Sequence, residues 1–306
     1  MLYDVIIIGS GPAGLAAAIY AKRAELNVIV IEKAGLSGGQ IINTYEVDNY
    51  PGTPGISGFE LSTKFREHAD KLDAFFINGE VTDFALDGSA KIITMEDGTQ
   101  YKTKTVIIAT GGAPRHLGVP GEEALSGMGV SYCATCDGAF FKNKTVAVVG
   151  GGDVAVEDAI FLARICKRVY VIHRRDQFRA SKSISSRLLA LENVTVLWDS
   201  VVDNIVGEDK VEKIEVTNIK TQEKDNYDVA GVFIAVGYLP SSDIYQKVVA
   251  TDEAGYIVAG ENCETNIPGV FAAGDVRTKE LRQILTAAAD GANAITGVEK
   301  YLNNLE

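Results

Sequence analysis

The sequence predicts an α/β fold made of two strand–turn–helix–strand units, the second inserted into the first. Three observations predict it. Residues 3–14 and 144–155 are two copies of one pattern: a short β-branched run, a glycine turn, then a helical period. A second apolar strand closes each copy, at 28–31 and at 169–172. Strand-like runs ending in Gly111-Gly112 and in Gly237 stand where each unit should stop.

The first copy reads Y-D-V-I-I-I-G-S-G-P-A-G and the second K-T-V-A-V-V-G-G-G-D-V-A. The glycine turns are Gly9, Gly11, Pro12, Ala13 and Gly14 in one, and Gly150, Gly152, Asp153, Val154 and Ala155 in the other. The helical patterns that follow run over 15–24 and 156–166. In a dinucleotide-binding turn the first glycine permits a tight bend and the second lets backbone approach a pyrophosphate. The third position must be small so that helix and strand pack closely. The helix N-terminus then offers free N–H groups and a partial positive charge to the phosphates. One such motif is weak evidence, because glycine-rich strand-to-helix turns are common. Two copies in the right context read as two Rossmann-like dinucleotide-binding domains.

One position separates what they bind. Glu32 stands 23 residues after Gly9, where a carboxylate accepts bonds from ribose hydroxyls and repels a 2′-phosphate. At the same offset from Gly150 stands His173, followed by Arg174 and Arg175, with Arg179 beyond. A cationic cluster there suits a 2′-phosphate, although a solvated basic face is the alternative. Unit one reads as a site for FAD or NAD, unit two for NADP.

Strands are expected at 81–86, 91–95, 101–109 and 229–236. The two glycine endings read as chain crossings. The expected domains are 1–113 with 242–306, and 114–241 between them. A net charge of −12 argues against nucleic acid and anionic membrane as partners. No apolar run reaches the roughly 18 residues of a membrane span. The opening M-L-Y-D-V-I-I-I-G reads as a strand and not as a leader, which makes the cytoplasm the expected compartment. Four cysteines are too few for a secreted disulfide framework, so the close pair Cys133 and Cys136 is expected to be catalytic or metal-binding.

Further motifs are Ser37-Gly38-Gly39-Gln40, Ala109-Thr110-Gly111, C-A-T-C-D at 133–137, H-R-R-D-Q-F-R at 173–179, and Ala273-Gly274-Asp275 with Arg282-Gln283. Across essentially the whole chain these resemble bacterial-type, low-molecular-weight thioredoxin reductases, two-domain flavoproteins dependent on FAD and NADPH. Most of the motifs are shared by many pyridine-nucleotide flavoproteins; C-A-T-C between two nucleotide units sets this family apart. The resemblance implies FAD contacts at Gly39, Gln40, Asn49, Val81, Ala109, Thr110, Gly111, Asp275, Arg282, Gln283 and Ile284. Asp275 is similar to the acid that bonds the ribityl chain, and Gln283 to the residue whose backbone meets the flavin. By themselves these are only a G-G turn, a G-D turn and a helix start. Family members often carry Ser or Thr where Val154 sits, so a possible phosphate donor is missing here.

The resemblance also implies that Cys133 and Cys136 form the redox-active disulfide on the NADPH domain. A C-x-x-C pair closes a small ring when its second cysteine lies near a helix start. Asp137 can give a proton to a leaving thiolate and take it back. A zinc site is the rival reading, but it wants four ligands, and Cys166, Cys263, His68, His116 and His173 are scattered. Cys166 and Cys263 are expected to be structural. The implied activity is electron transfer from NADPH through FAD and the disulfide to thioredoxin, in a homodimer. The family implies rotation of one domain against the other, with hinges near Gly112-Ala113 and Gly237-Tyr238. The rivals are a reductase of another disulfide, a ferredoxin- or flavodoxin-linked reductase, which would have no use for C-A-T-C, and a non-catalytic FAD-binding sensor.

Overall fold

Continuous runs of Val and Ile, without polar alternation, mark strands covered on both faces. In the computed structural model, which describes residues 2–44, 47 and 49–305, the run at 5–8 lies in the strand Leu2–Ile8 and that at 28–31 in Val28–Glu32. The chain divides into two units, Met1–Ala113 with Leu239–Glu306, and Pro114–Tyr238.

The first unit holds a seven-stranded sheet. Phe75–Asn78, Val28–Glu32, Leu2–Ile8 and Gln100–Ile108 lie side by side in parallel, and Val270–Ala272 adds to the last of them. Ala90–Met95 and Val81–Asp87 extend it as an antiparallel edge. One face buries Val5, Ile7, Val30 and Ile107 under helices Pro12–Arg23 and Ile284–Asn303. The other buries Ile6, Ile8, Ile29 and Ile108 under Tyr245, Val249 and Ile257. The two helices approach closely because residue 291 has no side chain: a Cβ there would lie 2.2 Å from the Ala13 carbonyl oxygen.

The second unit repeats the plan. Val194–Leu197, Arg168–Ile172, Thr145–Val149, Gly231–Ile234 and the short Val130–Ser131 form a five-stranded parallel sheet. Helix Asp153–Ala163 covers one face. A separate three-stranded antiparallel sheet, Ser200–Val206, Lys213–Asn218 and Lys224–Asp228, helps cover the other. Two expected limits are corrected. The helix expected to reach Cys166 stops at Ala163, because the Asn193 side-chain amide takes the Ala163 and Cys166 carbonyls at 2.8 and 3.2 Å. The strand expected over 229–236 is shorter, since Val229 bonds the Glu212 carbonyl instead.

Candidate active site

Both glycine turns are built alike. At Gly9 (φ 101°) an added Cβ would lie 2.5 Å from the Ala109 carbonyl oxygen; at Gly150 (φ 152°) it would lie 2.3 Å from that of Ala235. The strand that ends each unit therefore crosses directly over its turn. At the third position a Cβ on Gly14 would sit 1.9 Å from the Gly9 carbonyl oxygen, and Ala155 is buried in the corresponding place. Gly11 and Gly152 have open space instead, with nothing within 4 Å of an added Cβ. Each turn thus leaves one bare stretch of backbone at a helix start, the approach a pyrophosphate needs.

In the first unit the expected residues fall into groups. Glu32 accepts bonds from the Ser10 amide and hydroxyl at 2.7 and 2.6 Å and from the Ala34 amide. Gly39 lies against Gly11, and the Gln40 amide donates to the Gly112 carbonyl. Thr110 bonds the Ser241 carbonyl. Asn49 and Gln283, 234 residues apart, are joined by a 2.8 Å side-chain bond. Gln283 caps helix Ile284–Asn303, and its own amide donates to Thr286. Arg282 lies over the Tyr256 ring and reaches the Asp275 carbonyl. Val81 pairs with Met95 in the edge ladder. Asp275 is different: its Oδ1 is buried without any hydrogen-bond partner. Burial pushes this carboxyl up, against the nearby Lys279 and Arg282 charges. An orphaned buried acceptor of this kind is a place for a ligand donor.

The loop that carries Asp275 hangs on a buried ion cluster. Asp290 accepts from Arg277 at 2.8 and 2.7 Å, from Lys279 at 2.8 Å and from the Gly274 amide at 2.8 Å. Burial pushes the Asp290 carboxyl up, but the Arg277 and Lys279 bonds outweigh it and hold it below the usual range. Asp290 escaped the reading of the sequence, although a lone acid in A-A-A-D-G-A-N-A on a helix with apolar neighbours was the signal.

In the second unit Arg174, Arg175 and Arg179 line a cavity of about 310 Å³ with Gln177, Asp199 and Lys220. Lys220 pairs with Asp199 at 3.0 Å and Asp176 at 3.5 Å, beside the three arginines of the cavity lining. His173 stands apart from them. It is buried between the glycine turn, where a Cβ on Gly151 would meet its ring at 2.2 Å, and Phe178 and Trp198. Burial, helped by the arginine charges and opposed by its contact with the Gln177 carbonyl, holds the imidazole below its ordinary value. Asp153 bonds the Ser181 amide, and Val154 is exposed at the start of its helix.

Cys133 and Cys136 form a disulfide with Cα atoms 5.3 Å apart. Cys133 caps the single helical turn Ala134–Asp137, which brings Asp137 back beside the pair. Burial pushes the Asp137 carboxyl up, and a hydrogen bond from Ser131 pulls the other way. A disulfide offers no thiolates, so the zinc reading does not describe this arrangement. Among the described residues no group of three His, Cys, Asp or Glu is placed to hold a metal. Cys166 and Cys263 are buried, their thiols pushed up by burial to about 11 and about 12, which leaves them unreactive.

Two glycine-turn units, one carrying a disulfide with an acid beside it, define a class of nucleotide-dependent disulfide enzymes. The chain belongs to the pyridine nucleotide-disulphide oxidoreductase family, which matches residues 3–291. It is 46% identical to a thioredoxin reductase of Peptoclostridium acidaminophilum, over 98% of this chain and 97% of that one. The crystal structure of thioredoxin reductase from Streptococcus pyogenes superposes with a TM-score of 0.89 at 49% identity, covering 99% of both chains. A ferredoxin-flavin thioredoxin reductase from Clostridium acetobutylicum is also similar, with a TM-score of 0.53, 32% identity and 98% of both chains covered. No helix among the described residues is long and apolar enough to cross a membrane.

Proposed function

We propose that the chain is a thioredoxin-disulfide reductase that passes electrons from NADPH through FAD and the Cys133–Cys136 disulfide to oxidised thioredoxin. The observation that carries this is the disulfide itself, closed in the second nucleotide unit with Asp137 on the same helical turn. The residues fit the two groups. The first unit offers FAD the open backbone at Gly11, the carboxylate of Glu32 and the orphaned Oδ1 of Asp275. The second offers NADPH the open backbone at Gly152 and the arginine-lined cavity. FAD, when bound, would supply two-electron chemistry between NADPH and the disulfide.

The chain's own part is thiol–disulfide exchange. In the reduced pair, one thiol gives its proton to the Asp137 carboxylate while its sulfur attacks the thioredoxin disulfide. The thioredoxin S–S bond breaks as the mixed disulfide forms, and the departing sulfur takes the proton from Asp137. The second thiol repeats the exchange on the mixed disulfide. Cys133–Cys136 closes, and thioredoxin leaves with two electrons and two protons. We propose a cytoplasmic homodimer as the working form, on the strength of the family resemblance.

Two tests address the cofactors. The purified protein is expected to be yellow, and the extracted nucleotide to be FAD; NAD, or no nucleotide, would overturn the assignment of the first unit. Replacing Arg174, Arg175 or Arg179 by Gln is expected to raise KM for NADPH far more than for NADH. Each lost charge-assisted bond to the 2′-phosphate costs on the order of 1.5–3 kcal/mol. Equal rises for both nucleotides would make the cluster a solvated face and reopen the ferredoxin-donor reading.

A further inference from the structure

Ser131 is the last residue of the short strand that leads into the cysteine pair, and it is 6% exposed. Its hydroxyl does two things at once. It donates to Asp137 Oδ2 at 2.6 Å and accepts from the Cys133 amide at 3.1 Å. The Cys133 carbonyl lies 3.3 Å from the same oxygen. The strand is fixed by parallel pairing with Gly231–Ile234, so the hydroxyl is anchored to the sheet. A 2.6 Å O–H to carboxylate contact lies at the short, charge-assisted end of hydrogen bonds.

A carboxyl group that must return a proton to a leaving sulfur cannot swing freely. Asp137 sits on a single helical turn, which restrains its backbone but leaves its side chain two torsions. Ser131 supplies the missing restraint. We infer that Ser131 is a positioning residue for thiol–disulfide exchange: its hydroxyl ties the Asp137 carboxylate to the backbone of Cys133 and so holds one carboxyl oxygen while leaving the other free for proton transfer. The inference rests on the reading of Asp137 as the proton carrier.

The chemistry of the step is unchanged by Ser131. The proton moves from a cysteine thiol to Asp137 and on to the departing thioredoxin sulfur, one S–S bond forming as another breaks. The serine proton stays on its oxygen throughout. Losing the hydroxyl has a second effect with a definite sign. The bond favours the ionised carboxyl, so without it the proton is held more tightly and Asp137 titrates at higher pH. The helix packed against this turn, Asp153–Ala163, carries Glu157 and Asp158, and burial together with Glu157 pushes Asp158 up to about 7. The limb of a pH profile that belongs to Asp137 is therefore the one missing from Asp137→Asn.

The test uses the FAD-loaded protein and a reductant that bypasses NADPH. Dithiothreitol opens Cys133–Cys136, and alkylation followed by mass spectrometry counts the thiols released with time, across the neutral pH range. Ser131→Ala is expected to slow the step roughly tenfold, out of the about 10²–10⁴ that a positioned acid contributes. Its Asp137 limb is expected to move to higher pH. In an Asp137→Asn background the same serine change is expected to have no further effect, because a residue that acts through Asp137 has nothing left to position. Flavin reduction by NADPH is expected to keep its parent rate in Ser131→Ala. An unshifted profile with the parent rate would overturn the inference, and so would additive slowing in the double variant. If Asp137→Asn itself proceeds at the parent rate, the proton-carrier reading fails and this inference falls with it. If only Ser131→Ala is silent, the inference alone fails.

Discussion

Cys133→Ser and Cys136→Ser are each expected to abolish thioredoxin reduction while leaving flavin reduction by NADPH intact. Exchange needs both sulfurs, one to attack thioredoxin and one to resolve the mixed disulfide, so neither variant can complete a cycle. Hydride transfer comes before the disulfide step and involves neither sulfur. Rapid mixing would separate the halves: the flavin band bleaches on addition of NADPH and then stays bleached when oxidised thioredoxin is added. Asp137→Asn keeps both thiols and is expected to slow only the second half, by roughly 10²–10⁴-fold. Parent-rate turnover of thioredoxin in either serine variant would show that the pair is structural.

Asp290→Asn is expected to destabilise the first unit by about 3–5 kcal/mol, because it takes the buried carboxylate away from two buried cations and leaves Arg277 with the exposed Glu261 at 3.5 Å. Arg277 is 2% exposed and the Lys279 side chain 5%, so neither can reach water without moving the loop that carries Asp275. Release of flavin is expected to accompany the loss. Urea unfolding followed by flavin fluorescence would measure both. The pH dependence has a definite sign. The folded Asp290 carboxyl titrates below its ordinary value of 3.8, so its contribution is fully present above that value and is lost as pH falls through the folded one. The gap between parent and variant is therefore expected to close in acid below about pH 4. An unchanged urea midpoint at neutral pH would show that the cluster carries no net stability.

Much of this was legible because some residues have little freedom. A strand, a glycine turn and a helix in fixed order leave few alternatives to a nucleotide-binding unit, and both copies fold as their glycines require. The cysteine pair stood out by its C-x-x-C spacing, which left catalysis and metal binding both open, and the family resemblance implied the disulfide. What escaped depends on partners distant in sequence. The helix after Gly150 ends at Ala163 because Asn193, 30 residues on, caps it; the apolar period alone ran three residues further. Asp290 escaped because its cations lie 11 and 13 residues back across a loop. Ser131 had no part in the sequence reading, because only the turn at 134–137 brings Asp137 round to it. His173 stood at the offset of a ligand contact, but Gly151, Phe178 and Trp198 enclose it, and the arginines beside it take the cavity.

The most direct measurement is NADPH oxidation by the FAD-loaded protein with oxidised thioredoxin as the only acceptor, followed at the nicotinamide absorbance band and by counting thioredoxin thiols. The expected result is one NADPH consumed for each thioredoxin disulfide opened, with NADH and reduced ferredoxin far poorer donors. Flavin reduction by NADPH without any release of thioredoxin thiols would contradict it.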